Sequence, residues 1–139
     1  MPAAETYPDD LRYHPEHDWA RIDGDEATLG ITWYAQDSLG ELVHFEAPAA
    51  GSTAAKDASY GEVESVKAVS DVVSPLTGEV LEVNEKVVEA PETVNDDPYG
   101  EGWLVRIRVS HPAEVNADGR RRVPRARRRA VKSAEEAGA

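Results

Sequence analysis

The sequence predicts an all-β fold, a flattened β-sandwich or hybrid barrel of short strands with one or two small helices. Three observations carry this expectation. The 139-residue chain is 40% apolar yet holds one Phe and one Met, so its core must come from Val, Leu, Ile and the three Trp, a composition that favours strands. Its apolar residues alternate with polar ones over short, closely spaced runs. The pattern Gly-Glu-Val-x-x-Val occurs at 61–66 and again at 78–83, an offset of 17 residues, so the chain repeats a strand-like unit around Lys67.

Residues 18–23 and 26–32 flank Gly24-Asp25 and set Ala27, Leu29, Ile31 and Trp33 on one parity, a hairpin signal. Residues 33–39 suit about two turns of helix, with Gly40 as the stop. Val43 and Phe45 then resume a period of two, and Pro48, Gly51 and Ser52 mark a loop. Residues 60–84 are Val-rich and punctuated by Ser74-Pro75 and Gly78, as expected for paired strands and a tight connection. Residues 89–102 carry Pro91, Pro98, Gly100, Gly102 and several acids and are expected to form an irregular surface loop. In the final strand Trp103, Val105, Ile107 and Val109 share a face, with Arg106 and Arg108 opposite. After Pro112 the chain turns Arg-rich, from Arg120 to Arg129. That tail should be solvated, with a helix over 125–137 supported only by the thin stripe Ala126, Ala130, Val131 and Ala134. The organisation expected is an N-terminal segment (1–12), one domain (13–111) and a divergent tail (112–139).

Charge is divided unevenly. Residues 1–111 hold 7 Lys and Arg against 23 Asp and Glu, a balance of −16, whereas 112–139 hold 8 against 4, or +4. The acidic body repels nucleic acid and suits basic faces on protein partners. The alternative of another class is a binding module whose Arg tail grips nucleic acid or an acidic surface. Without Cys there is no disulfide and no thiolate nucleophile, so redox chemistry needs a borrowed group. Residues 1–10 lack the features of a secretory signal and no run of apolar residues is long enough for a membrane span, which leads to the expectation of a soluble cytoplasmic protein. There is no Gly-x-Ser-x-Gly elbow, phosphate loop or dinucleotide fingerprint, so no catalytic residue and no independent enzyme are expected. His14 and His17, with Glu16 and Asp18, are a poor metal set because Pro15 disfavours the helix that would join them. His44, on an alternating strand, is expected to be structural.

Lys67 has a frame no other lysine shares, an acidic, Gly-led strand followed by small residues. An amine that must receive a prosthetic arm from a separate enzyme has to protrude from a rigid support between small neighbours, a need that Ser65, Ala68 and Ser70 meet, and Glu64, Ser65 and Ala68 are the residues expected to be recognised around Lys67. Tethering such an arm gives effective concentrations of order mM at each partner. The residues alone leave two readings, a plain surface lysine or an attachment point, because Val66-Lys67-Ala68 contains no Gly, Asn or Pro to announce a turn.

The stretch Glu64-Ser65-Val66-Lys67-Ala68, with Gly78 eleven residues after the lysine, resembles the lipoylation site of the glycine cleavage system H protein family. The likeness extends over residues 13–109: Tyr13, His17 and Trp19; Gly30-Ile31-Thr32 with Tyr34-Ala35-Gln36 and Leu39-Gly40; Ser74-Pro75 and Gly78-Glu79-Val80; Glu82-Val83-Asn84; and Asn95 through Trp103. Biotin carriers usually flank the lysine with Met and 2-oxoacid dehydrogenase lipoyl domains usually place Asp before it, so Val66 and Ala68 favour the H protein. The resemblance implies a barrel-sandwich hybrid of the biotinyl/lipoyl-carrier type and a covalent lipoyl group on Lys67. It further implies a non-catalytic carrier that moves an aminomethyl group from glycine decarboxylase (P protein) to a tetrahydrofolate-dependent aminomethyltransferase (T protein) and is reoxidised by dihydrolipoamide dehydrogenase (L protein). A lipoate ligase or a lipoyl or octanoyl transferase would load it. Some relatives instead relay lipoyl groups to other lipoate-dependent enzymes.

The resemblance also implies that Asp18 and Asp71, with Glu16 contributing, line a groove that holds the protonated amine of the loaded arm. By themselves Asp18 reads as a solvated strand-start acid and Asp71 as a hairpin-flanking one. The chain departs from the family pattern in having Asp18 where most relatives have Glu, Trp33 where Asp is common, and an Arg-rich end where relatives carry an acidic, apolar-striped helix.

Overall fold

The computed structural model describes residues 4–114. They form, in order, β1 (Arg12–Tyr13), β2 (Asp18–Asp23), β3 (Glu26–Ile31), α1 (Trp33–Leu39), β4 (Leu42–Glu46), β5 (Thr53–Ala54), β6 (Ser59–Ser65), β7 (Val69–Val73), β8 (Gly78–Val83), α2 (Glu85–Glu89), α3 (Thr93–Asp96) and β9 (Val105–Val109). Two antiparallel sheets result, one of six strands in the order β1-β2-β3-β9-β8-β5 and one of three in the order β4-β6-β7. Leu42, Phe45, Val63 and Val72 from the smaller sheet meet Ala20, Leu29, Val80, Val105 and Ile107 from the larger in one buried core. A second cluster of Leu11, Tyr13, Trp19 and Tyr99 fastens the chain's start to the outside of the larger sheet. The tail helix expected over 125–137 lies outside the described residues.

The β2–β3 hairpin turns about Gly24, with Asp23 opposite Glu26, and Ala27, Leu29 and Ile31 face inward as their alternation requires. Helix α1 starts at Thr32, whose hydroxyl accepts the Ala35 N–H at 3.3 Å. It stops at Gly40, where φ is +87°, a left-handed conformation open mainly to glycine.

Three expectations are corrected. Val43 and Phe45 do not share a face: the register between β4 and β6 slips between Leu42 and His44, and the extra residue of this bulge turns Val43 outward, 49% exposed, while Phe45 stays buried. His44, expected to be structural, lies exposed on β4 with its Nε2 3.0 Å from Glu46 Oε1. The stretch 89–102 is not an irregular loop throughout, because α3 forms within it and buries Val94 fully. With α2 and α3 added to α1, at least three short helices lie among the described residues rather than one or two. A four-residue helix is too short for its periodicity to be visible in a sequence.

The repeated hexapeptide occupies β6 and β8, one in each sheet. Both copies begin with glycine for the same reason. A Cβ on Gly61 would lie 2.6 Å from the Glu46 carbonyl oxygen, and one on Gly78 would collide with the carbonyl oxygen of Arg108. Each glycine lets a neighbouring strand approach closely as its own strand pairs. Gly78→Ala is expected to cost about 1–3 kcal/mol. Urea unfolding should show a lowered midpoint with an unchanged slope, and an unaltered midpoint would contradict the close approach.

Candidate functional site

Lys67 sits exposed at the tip between β6 and β7. The turn that carries it uses no glycine. The Ser65 N–H donates to the Ala68 carbonyl at 2.7 Å, and the Ser65 hydroxyl accepts the N–H groups of Lys67 at 3.2 Å and Ala68 at 3.0 Å. Ser65 itself is 5% exposed, so its hydroxyl serves as an internal cap for a tip whose backbone donors have no strand partner. Glu64 and Ala68, the other framing residues, are exposed on either side.

The tip rests on the segment that follows α1. The Val66 N–H donates to the Glu41 carbonyl at 3.2 Å, and Gly40 lies beneath the lysine stem, so that a Cβ there would stand 3.5 Å from Lys67 Cε. Asn95 of α3 holds that segment in place. Its side-chain oxygen accepts the Leu42 N–H, and its amide nitrogen donates to the Gly40 carbonyl and to Gln36 Oε1, each at 2.9 Å. This set of partners fixes which end of the amide is oxygen.

Asp18 is not the solvated strand-start acid that its sequence position allows. It is 2% exposed, and its Oδ1 accepts the Val73 N–H of β7 at 3.3 Å. Burial pushes its carboxyl well above the usual range; the Val73 hydrogen bond pulls it back, and the charge of Glu16 pushes it further up. Tyr60 is buried on the neighbouring strand, and its hydroxyl has no hydrogen-bond partner among the described residues. Its phenol is pushed up by burial and by the nearby Asp18. Asp71 stands two residues before Val73 with its carboxylate exposed, 3.4 Å from the Ser59 hydroxyl. Glu16 lies exposed in the turn that leads into β2. Two of the three acids thus reach β7 at neighbouring positions, Asp18 from across the fold and Asp71 as part of the strand, while Glu16 approaches Asp18 through its charge.

His14 and His17 do not face a common centre. His14 Nδ1 accepts the Glu16 N–H at 3.0 Å, which leaves its Nε2 to donate to Asp57 Oδ1 at 2.6 Å. His17 instead lies against Tyr34, ring centroids 4.2 Å apart. The His14–Asp57 pair borders a cavity of about 320 Å³ with largely apolar walls, including Tyr13, Pro15, Ile22 and Leu76.

Residues 11–119 match the family model described as "Glycine cleavage H-protein". The chain belongs to the glycine cleavage H-protein family. It is 54% identical over 108 residues to the glycine cleavage system H protein of Rubrobacter xylanophilus, covering 78% of this chain and 86% of that one. With the H protein of Synechococcus elongatus it shares 53% identity over 113 residues, 81% of this chain and 88% of the other. The crystal structure of a glycine cleavage system H protein from Mycobacterium marinum superposes with a TM-score of 0.71 at 36% identity, covering 81% of this chain and 98% of that one. The fold is therefore the barrel-sandwich of H proteins.

Sequence reasoning missed how this H-protein tip is built. Ser65 was legible as a small neighbour of the lysine but not as the group that closes its turn. Asn95 carried no signal of its role, since its partners are 53 to 59 residues away. Ser65→Ala is expected to lower stability by about 1 kcal/mol and to speed amide hydrogen exchange at Lys67 and Ala68. Unchanged exchange there would show that the hydroxyl does not hold the tip.

The raised Asp18 carboxyl sets a sign for stability against pH. Its folded-state pKa lies above the unfolded value, so its contribution is fully present below the unfolded pKa and is lost progressively as pH rises from there through the folded value. Asp18→Asn keeps an oxygen for the Val73 N–H but cannot ionise. The variant should gain in Tm over the parent as pH rises above about 4 and level off beyond the folded pKa. Paired thermal melts across that range test this, and a pH-independent difference would contradict it.

Proposed function

We infer that this H protein is a cytoplasmic, non-catalytic carrier whose Lys67 Nζ is the point of covalent lipoyl attachment. The observation that supports this most is the exposed lysine on a turn closed internally by Ser65, with its stem lying over Gly40. The residues fit the group: the amine is accessible to a modifying enzyme, its immediate neighbours Val66 and Ala68 are small enough to be covered, and the support below is braced by Asn95. Bound to Lys67, a lipoyl group would supply a dithiolane, a redox-active disulfide able to carry an aminomethyl group. The carrier's partners are then the P, T and L proteins of glycine cleavage, together with a lipoate ligase or a lipoyl or octanoyl transferase.

The chain's own residues have two tasks. The stiff tip fixes where the arm begins, so that its end searches a limited volume and meets each partner at high effective concentration. Asp18 and Asp71, with Glu16 near Asp18, offer carboxylates along β7 to a protonated amine. An acid that is buried and neutral when alone ionises when a cation comes within reach, because the opposite charge offsets the desolvation that had kept it protonated. Asp18 is suited to that role by its burial and by the Val73 N–H that already steadies one oxygen. Asp71, being exposed, would guide the amine from the solvent side.

The test is attachment and turnover. Intact-mass measurement after co-expression with a lipoate ligase should show one lipoyl addition on the parent and none on Lys67→Arg. Reconstituted glycine oxidation should be lost with that substitution. Undiminished oxidation by the Arg variant would overturn the assignment.

A further inference from the structure

The two sheets treat their outer faces differently. Between β8 and β9 of the larger sheet, acids oppose bases: Glu79 stands across from Arg108 and Glu82 across from Arg106, with Arg106 Nη1 2.6 Å from Glu82 Oε1. On the smaller sheet, Glu46, Glu62 and Asp71 are directly opposite one another on β4, β6 and β7, all exposed. Like charges at opposed positions of a sheet destabilise it. The next rung toward the tip is His44, Glu64 and Val69, and beyond it lie Val43 and Val66. Val43, Val66 and Val69 are 49%, 70% and 59% exposed, three of the four large apolar side chains left exposed among the described residues. The face next to Lys67 therefore combines an apolar patch left exposed among the described residues with a row of opposed carboxylates, of which Glu46 is paired with the His44 imidazole.

We propose that this open face of the β4-β6-β7 sheet is the docking surface for the enzyme that acylates Lys67, a protein that presents an apolar contact flanked by Lys and Arg side chains. The inference rests on Lys67 being the attachment site. The occupant follows from charge complementarity: a neutral or acidic partner would leave the carboxylate row uncompensated, whereas basic side chains would be drawn to it and would relieve its self-repulsion. Apolar contact at Val43, Val66 and Val69 supplies the desolvated centre, and the carboxylates form the polar rim. Because the patch adjoins the tip, a partner seated on it has the lysine within reach without gripping the flexible stem.

Two variants separate this role from a structural one. Glu46→Gln/Glu62→Gln removes like charges, so it should raise Tm while lowering kcat/KM for attachment about three- to tenfold at low ionic strength, a deficit that vanishes at about 0.5 M salt. Val43→Thr/Val69→Thr should lower kcat/KM by a similar factor with little dependence on salt. The assay uses the full chain, a lipoate ligase, lipoate and ATP, read by intact mass. Failure to modify the parent chain would defeat the reading of Lys67 itself. Normal modification of the parent with both variants unchanged would defeat this surface alone. Faster modification of the Gln variant would also overturn the proposal, since it would mean that the acidic row hinders docking rather than favouring it.

Discussion

The interaction on which the β6–β7 tip depends is the closure of its turn by Ser65. A hairpin tip has backbone donors with no strand to receive them, and an ordinary tip is mobile for that reason. Here the Ser65 hydroxyl takes two of those donors and its N–H closes the turn from inside. The rigidity comes from a buried polar group acting between neighbours in sequence. It needs no glycine, and a tip without glycine has less conformational freedom to lose on folding.

That local device would move as a unit if its base were loose, and the second level of the design lies in the base. Gly40 ends α1 in a conformation that brings the chain beneath the lysine stem, and Asn95 ties Gly40, Leu42 and Gln36 together with its full amide. The short helices α2 and α3 thus have a positioning role. They carry Asn95 to the one place where the end of α1 and the start of β4 present unpaired backbone groups, satisfying polar atoms that would otherwise be stranded near the core.

The electrostatic design follows from the same economy of surface. Strands β8 and β9 of the larger sheet set acids against bases, while the smaller sheet leaves acids opposed to acids and valines in the open beside the tip. Asp18 is the counterpart within the fold, an acid whose burial favours its protonated form and whose carboxyl is held by a strand N–H. Both features are unfavourable in the isolated molecule, and under the proposals above a cation at Asp18 and a basic surface on the acidic row would offset that cost.

Much of this was legible in the sequence. The β2–β3 hairpin, α1 and its glycine stop, the strands at both copies of the hexapeptide and the framed lysine followed from alternation, turn chemistry and spacing, because each depends on residues adjacent in the chain. Tertiary structure alone decided the outward turn of Val43, since a bulge is set by how β4 registers on β6. It decided the burial of Asp18, whose partner is 55 residues away, and the helices near Asn95, too short to show a period. Local pattern determined which elements form and which lysine they present; packing between distant segments determined which carboxylates are buried, which are opposed, and how firmly the amine is held.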